Sequence, residues 1–197
     1  TTAEQMLADA AIMRSWSHNV YVKFPAIPEG LKAARRFTED GGRVNMTLVF
    51  DLEQAAAVYS ATIHTQGTAF VSPFVGRWDD RGFYGLDLIR QIRAMYDAFD
   101  KKRGAAHRHV EILAASIRTL DHLYGSIALG ADILTAPLKT YAAWVAAGRI
   151  TPTVPPEKPD SLKHLPEKSL SFFEDFHQYS IQKDDTSLLH AGLMKFA

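Results

Sequence analysis

Along the chain, two hydrophobic periods take turns. Met6, Leu7, Ala10 and Met13 fall on one face of a helix, with Thr1 as N-cap and Glu4 closing a capping box. Residues 19–25, Asn-Val-Tyr-Val-Lys-Phe-Pro, then switch to β-branched and aromatic side chains and predict a strand ended by Pro25. Pro28 suits the first turn of the next helix, where Leu31, Ala34 and Phe37 share a face before Gly41 and Gly42 stop it. The same alternation repeats: strands at 44–50, 69–75, 109–115 and 132–135, and helices at 52–63, 86–99, 119–129 and from Pro137 to Gly148. Asp51-Leu52-Glu53-Gln54 reads as a second capping box, and Gly76, Gly82 and Gly85 mark a loop before the long helix at 86–99.

Strands such as Val110-Glu111-Ile112-Leu113-Ala114-Ala115 have apolar residues on both faces, as expected of a parallel sheet covered by helices. No Gly-x-Gly-x-x-Gly or Gly-x-x-x-x-Gly-Lys loop follows any strand, which argues against an open nucleotide-binding sheet and favours a barrel. The fold class expected is therefore α/β, a (β/α)8 barrel of which about five βα units are visible. Since such a barrel takes roughly 250 residues, about three opening strands are expected upstream. Five of the nine prolines lie between Pro152 and Pro166. Residues 1–150 are read as the C-terminal part of a barrel. Residues 151–197 are read as a Pro-rich linker and helical tail, with Phe172, Phe173 and Phe176, then Leu188, Leu189, Leu193 and Met194, on two short amphipathic helices.

Composition narrows the chemistry. Twenty-two basic residues balance 22 acidic ones without clustering, so no nucleic-acid or anionic-membrane partner is expected. The chain has no cysteine, which excludes a thiolate nucleophile and cysteine-ligated metal. The longest apolar run, 141–147, is far short of the roughly 20 residues that cross a bilayer. A cytoplasmic protein is expected.

Lys23 interrupts an apolar strand, sharing its face with Tyr21 and Pro25 while Val20, Val22 and Phe24 take the other. On an edge strand it would face water and blunt the edge. Inside a closed barrel, desolvation would free its amine to attack a carbonyl. The other candidates cluster near the carboxyl ends of strands, where such folds place their sites: Asn45 and Thr47, Ser72 and Phe74, then Arg77, Ser116 and Arg118. Two converging arginines suit a small oxyanion, although each alone reads first as half of a surface ion pair. His107-x-His109 lacks a nearby third ligand and reads as a solvated strand start, and Trp78-Asp79-Asp80 as a capped, exposed turn.

In this order and spacing, Val22-Lys23-Phe24-Pro25, Pro28-Glu29-Gly30-Leu31, Asn45-Met46-Thr47-Leu48-Val49-Phe50, Ser72-Pro73-Phe74-Val75-Gly76-Arg77 and Ala114-Ala115-Ser116-Ile117-Arg118 resemble the transaldolase family. The resemblance covers about residues 1–147. It implies a class I aldolase barrel that moves a dihydroxyacetone unit from a ketose phosphate to an aldehyde, with no metal and no organic cofactor. It implies Lys23 as the Schiff-base lysine, with Asn45 and Thr47 holding substrate hydroxyls and the catalytic water. Ser72 and Phe74 would line the pocket, and Arg77, Ser116 and Arg118 would bind phosphate. The family's proton-transfer Asp and Glu or Gln would lie upstream of Thr1, so a chain truly starting there is expected to be inactive. Position 74 is Phe, as in transaldolases, where fructose-6-phosphate aldolases carry Tyr. That aldolase activity, transfer from a sulfonated ketose and an inactive barrel subunit are the alternatives. A tail helix that packs on a neighbouring subunit in some relatives implies a homo-oligomer.

Overall fold

The computed structural model describes residues 2–181 and 188–196. Helix α1 (Ala3–Trp16) is capped by Thr2, not Thr1, which lies outside the described residues. With the box shifted by one residue, Gln5 closes it: its Oε1 accepts the Thr2 N–H at 2.9 Å. Glu4 pairs with Arg36. There follow β1 (Val22–Pro25), α2 (Pro28–Glu39), β2 (Val44–Val49), α3 (Leu52–Ala61) and β3 (Ala69–Pro73). The chain continues through α4 (Val75–Asp79), α5 (Leu86–Arg103), β4 (Val110–Ala114), α6 (Leu120–Ala128), β5 (Ile133–Leu134) and α7 (Leu138–Ala146).

The five strands are parallel and lie side by side in sequence order. A doubly wound sheet reverses its order at a switch point; this one does not, and the sequential order is that of consecutive barrel units. Strands start and stop where a neighbour is available. β1 begins at Val22, paired with Val44, and not at Asn19, while β5 pairs only through Ile133 and Leu134.

The outward face of the sheet supplies the core. Val22, Phe24, Val44, Met46, Val71, Val110 and Ile112 are buried beneath the helices, where Phe24 meets Phe37 edge-on with ring centroids 5.7 Å apart. The inward face is polar or half-open, with Lys23, Asn45, Phe70 and Glu111 along one register row. Burial, reinforced by the nearby Asp132, raises the Glu111 carboxyl above its ordinary range.

Two connections depart from the periodic reading. Gly76 does not mark a loop, because Val75–Asp79 is a short helix. The second capping box is only half formed. Asp51 Oδ1 accepts the Gln54 N–H at 2.8 Å, but the Gln54 side chain passes Asp51 and accepts the Phe50 N–H, also at 2.8 Å. Its Nε2 donates to the carbonyls of Ala26 and Leu48 at 2.9 and 3.0 Å.

The tail is largely extended. Lys163 pairs through its backbone with Gly82 and Tyr84, buried Asp87 accepts the Leu165 N–H at 3.0 Å, and Phe172 meets the Tyr59 and Phe99 rings. The helix expected around Phe172, Phe173 and Phe176 is a single 3-10 turn, Phe176–Gln178, because Phe172 and Phe173 are held in extended chain against α3 and α5. Helix α8 (Leu188–Phe196) then packs on the end of β2.

Replacing Gln54 by Leu leaves the Phe50 N–H and the Ala26 and Leu48 carbonyls without their partner. Since each buried unsatisfied group costs about 1–3 kcal/mol, Gln54→Leu is expected to lower unfolding stability by about 3 kcal/mol. Urea titration checks this, and a loss under about 1 kcal/mol would contradict it.

Candidate functional site

The carboxyl ends of β1 to β4 meet in one region. Lys23 sits beside Asn45 in the β1–β2 register, and Pro25 beside Thr47. Between Met46 and Val49 the register of β2 against β3 slips, and within that bulge Leu48 adopts φ of 59°. A branched residue rarely holds this left-handed backbone unless its surroundings dictate it. Here the Gln54 bond to the Leu48 carbonyl does so. The bulge brings consecutive residues, Thr47 and Leu48, to the wall of one pocket. That pocket, about 450 Å³, is also lined by Lys23, by Asp9, Met6 and Met13 of α1, and by Leu193 of α8.

Asn45, Thr47 and Ser72 are buried. Ser72 Oγ donates to Asn45 Oδ1 at 2.7 Å, a bond that joins β2 to β3 and leaves the Asn45 amide hydrogens for another acceptor. Thr47 Oγ1 is buried with no hydrogen-bond partner among the described residues. Lys23, by contrast, is exposed, because β1 is an edge strand of the described sheet. The described residues leave Lys23 open, at the edge of β1 that the pocket follows.

Phe74 caps α4 and packs edge-on against Phe50 with centroids 5.4 Å apart. Arg77 lies within α4 and makes no hydrogen bond or ion pair to another described residue. Ser116 follows β4 with φ of 58°. Gly76 touches this turn so closely that a Cβ would stand 2.6 Å from both the Ser116 carbonyl and Arg118 Nε. Arg118 grips Asp80 through both terminal nitrogens, Nη2 to Oδ2 at 2.7 Å and Nη1 to Oδ1. This bond holds the guanidinium pKa above its ordinary value. The ion-pair reading thus describes Arg118 and not Arg77.

Sequence reasoning missed the supporting groups. Trp78-Asp79-Asp80 is not an exposed turn: Trp78 Nε1 donates to the Phe50 carbonyl at 2.8 Å, and Asp79 bonds the buried His122 at 2.7 Å. The 43 residues separating Asp79 from His122 leave no periodic signal. Of the two spaced histidines, His107 is exposed. His109 is half-buried, donates Nε2–H to the Tyr59 carbonyl at 2.9 Å and faces Arg103, and burial lowers its pKa. Among the described residues no three His, Asp or Glu side chains converge as for a metal, and no helix is long and apolar enough to cross a membrane.

The chain is 41% identical to a probable transaldolase of Brucella anthropi over 145 residues, 74% of this chain and 61% of that protein. It is 42% identical to one of a Ruegeria species over 137 residues, 70% and 58% of the two chains, and 40% identical to one of Sinorhizobium medicae over 145 residues, 74% and 61%. It thus spans about three fifths of the length of the curated relatives it matches. The profile described as Transaldolase/Fructose-6-phosphate aldolase matches residues 1–197. With five parallel strands in sequential order and the Lys, Asn, Thr and Ser side chains grouped at one end of the sheet, the chain belongs to the transaldolase/fructose-6-phosphate aldolase family.

Proposed function

We propose that the protein carrying this chain is a transaldolase working through a Schiff base on Lys23. The observation that carries this reading is the inward row itself. A lysine stands beside Asn45 in register, Asn45 is bonded to Ser72, and Lys23 shares a 450 Å³ pocket with the unpartnered hydroxyl of Thr47. The Lys23 amine adds to the ketose carbonyl, and the carbinolamine loses water to give an iminium. Loss of the β-hydroxyl proton breaks the bond between the α and β carbons, which releases an aldehyde and leaves an enamine on Lys23; a proton is taken up again by the new hydroxyl in the transfer step. The enamine carbon attacks an acceptor aldehyde, and water then hydrolyses the new iminium to return the lysine. In this reading Asn45 Nδ2–H holds a substrate hydroxyl, Thr47 Oγ meets the attacking or departing water, and Ser72 fixes the Asn45 amide. Phe74 forms an apolar wall, and Arg77, Ser116 and Arg118 take the phosphate. Residues 1–150 act as the C-terminal part of the barrel and 151–197 as its linker and tail, in a cytoplasmic homo-oligomer.

Borohydride reduction of the full-length protein with a ketose phosphate is expected to trap a mass adduct on the peptide containing Lys23. An adduct on another lysine overturns the assignment.

Arg77→Ala is expected to reduce kcat/KM for phosphorylated substrate about 10- to 100-fold, the worth of one or two charge-assisted hydrogen bonds. Unphosphorylated substrate should be affected much less. Equal losses in steady-state assays with both substrates would make Arg77 a support of the fold instead.

Phe74→Tyr tests transfer against hydrolytic release. With Phe74 the wall has no hydroxyl, so the enamine on Lys23 persists until an aldehyde arrives. A positioned acid–base group contributes about 10²- to 10⁴-fold, so even part of that raises the ratio of free dihydroxyacetone to transferred product at fixed acceptor. An unchanged ratio in a folded, trap-competent variant removes Phe74 as the determinant.

A further inference from the structure

The anion-site candidates lie on two segments, α4 with Arg77 and the connection from β4 to α6 with Ser116 and Arg118. Their near ends are joined by backbone bonds, Val75 N–H to the Ala115 carbonyl at 3.0 Å and Gly76 N–H to the Ser116 carbonyl at 3.1 Å. Their far ends are joined by one buried imidazole. His122 Nδ1 lies 3.3 Å from the Arg118 backbone nitrogen and His122 Nε2 lies 2.7 Å from Asp79 Oδ2. The second carboxylate oxygen, Asp79 Oδ1, accepts the Gly85 N–H at 2.9 Å, tying the same group to the start of α5. The His122 side chain is 8% exposed and that of Asp79 23%.

The polarity of this chain is fixed from one end. A backbone N–H only donates, so His122 Nδ1 must be the bare nitrogen. The neutral ring then carries its hydrogen on Nε2, which needs an acceptor opposite it. Gly85 N–H needs another. Only a carboxylate offers both, because an amide of the same shape turns an NH₂ toward one of the two donors.

We propose that His122 and Asp79 are positioning residues of the anion site: by holding the Arg118 backbone against α4, they set Ser116 and Arg118 at a fixed distance from Arg77 for a substrate phosphate. This rests on the preceding reading that these three residues take the anion. Left-handed Ser116 has a strained backbone that the same bonds hold in place.

The test is Asp79→Asn, equal in shape and wrong in polarity, in the full-length protein. The dissociation constant of inorganic phosphate is measured by calorimetry, and dihydroxyacetone, which carries no phosphate, is trapped with borohydride in parallel. The variant is expected to weaken phosphate about tenfold while trapping is nearly unchanged, and the ¹⁵N shifts of His122 should leave the Nε2–H pattern. His122→Asn, whose Oδ1 can replace Nδ1 as acceptor for Arg118, is expected to retain more phosphate affinity than Asp79→Asn. Phosphate affinity unchanged in Asp79→Asn, equal loss of phosphate binding and trapping, or no phosphate binding by the parent protein would each overturn the proposal. Loss of phosphate affinity in Asp79→Asn when the parent protein itself traps no adduct at Lys23 supports the clamp and removes the Schiff-base reading alone.

Discussion

The amide of Gln54 governs where β2 stops being a strand. By accepting from Phe50 and donating to Ala26 and Leu48, it satisfies three backbone groups that a bulge would otherwise leave bare inside the protein. That satisfaction permits Leu48 its left-handed backbone, and the bulge turns Thr47 and Leu48 toward the pocket beside Lys23. The consequences continue outward. The Phe50 carbonyl, freed from the strand ladder, accepts from Trp78 and so seats α4. Helix α4 in turn carries Arg77 and Asp79 and ends at Asp80; Asp80 bonds Arg118 in the connection after β4, and Asp79 bonds His122 of α6. One uncharged side chain thus links the lysine end of the site to the arginine end.

A parallel sheet of this kind buries its outward face under helices by itself, but its inward face is closed only by strands around the full circumference. The described strands do the first completely and the second in part. Asn45, Thr47 and Ser72, on the inner strands β2 and β3, are buried, while Lys23 on edge strand β1 is open. The same asymmetry explains the apolar groove beside β1, where Met6, Ala10 and Met13 of α1 reach around the edge to the pocket. Leu193 of α8 reaches that pocket from the other side, and Leu189 is buried with Leu48 and Phe50. Gly192 allows this approach: a Cβ there would come within 2.7 Å of Leu48 Cδ2.

The architecture was legible because its signals are local. Strand and helix periods, Pro28 in the first turn of α2 and left-handed Gly41 just past its end each act within a few residues. Lys23, Asn45, Thr47 and Ser72 could be grouped because period-two alternation and parallel pairing bring them to one face. What escaped depends on contacts between distant residues. The Gln54 side chain reads as a capping partner of Asp51, since nothing nearby shows that Phe50 will present a bare N–H after a bulge. Asp79 and Asp80 read as turn residues because their partners, His122 and Arg118, lie about forty positions away. The identity of a side chain announces its capacity for a bond, and only the fold supplies the other half.

The two arginines proposed for an anion differ in what they must give up. Arg118 already spends both terminal nitrogens on Asp80, and its Nε edge faces Gly76 so closely that no side chain fits between them. An anion using that fork must displace a carboxylate of charge −1 or bind beside it. Displacement favours a ligand of greater charge density, since the Coulomb gain scales with charge while the lost hydrogen bonds are alike in number. A phosphate monoester, near −2 at neutral pH, meets that requirement; a monoanionic sulfonate exchanges one negative charge for another and gains little. Arg77, with no competing carboxylate among the described residues, discriminates less between the two. Asp80 therefore works against weakly charged anions at Arg118.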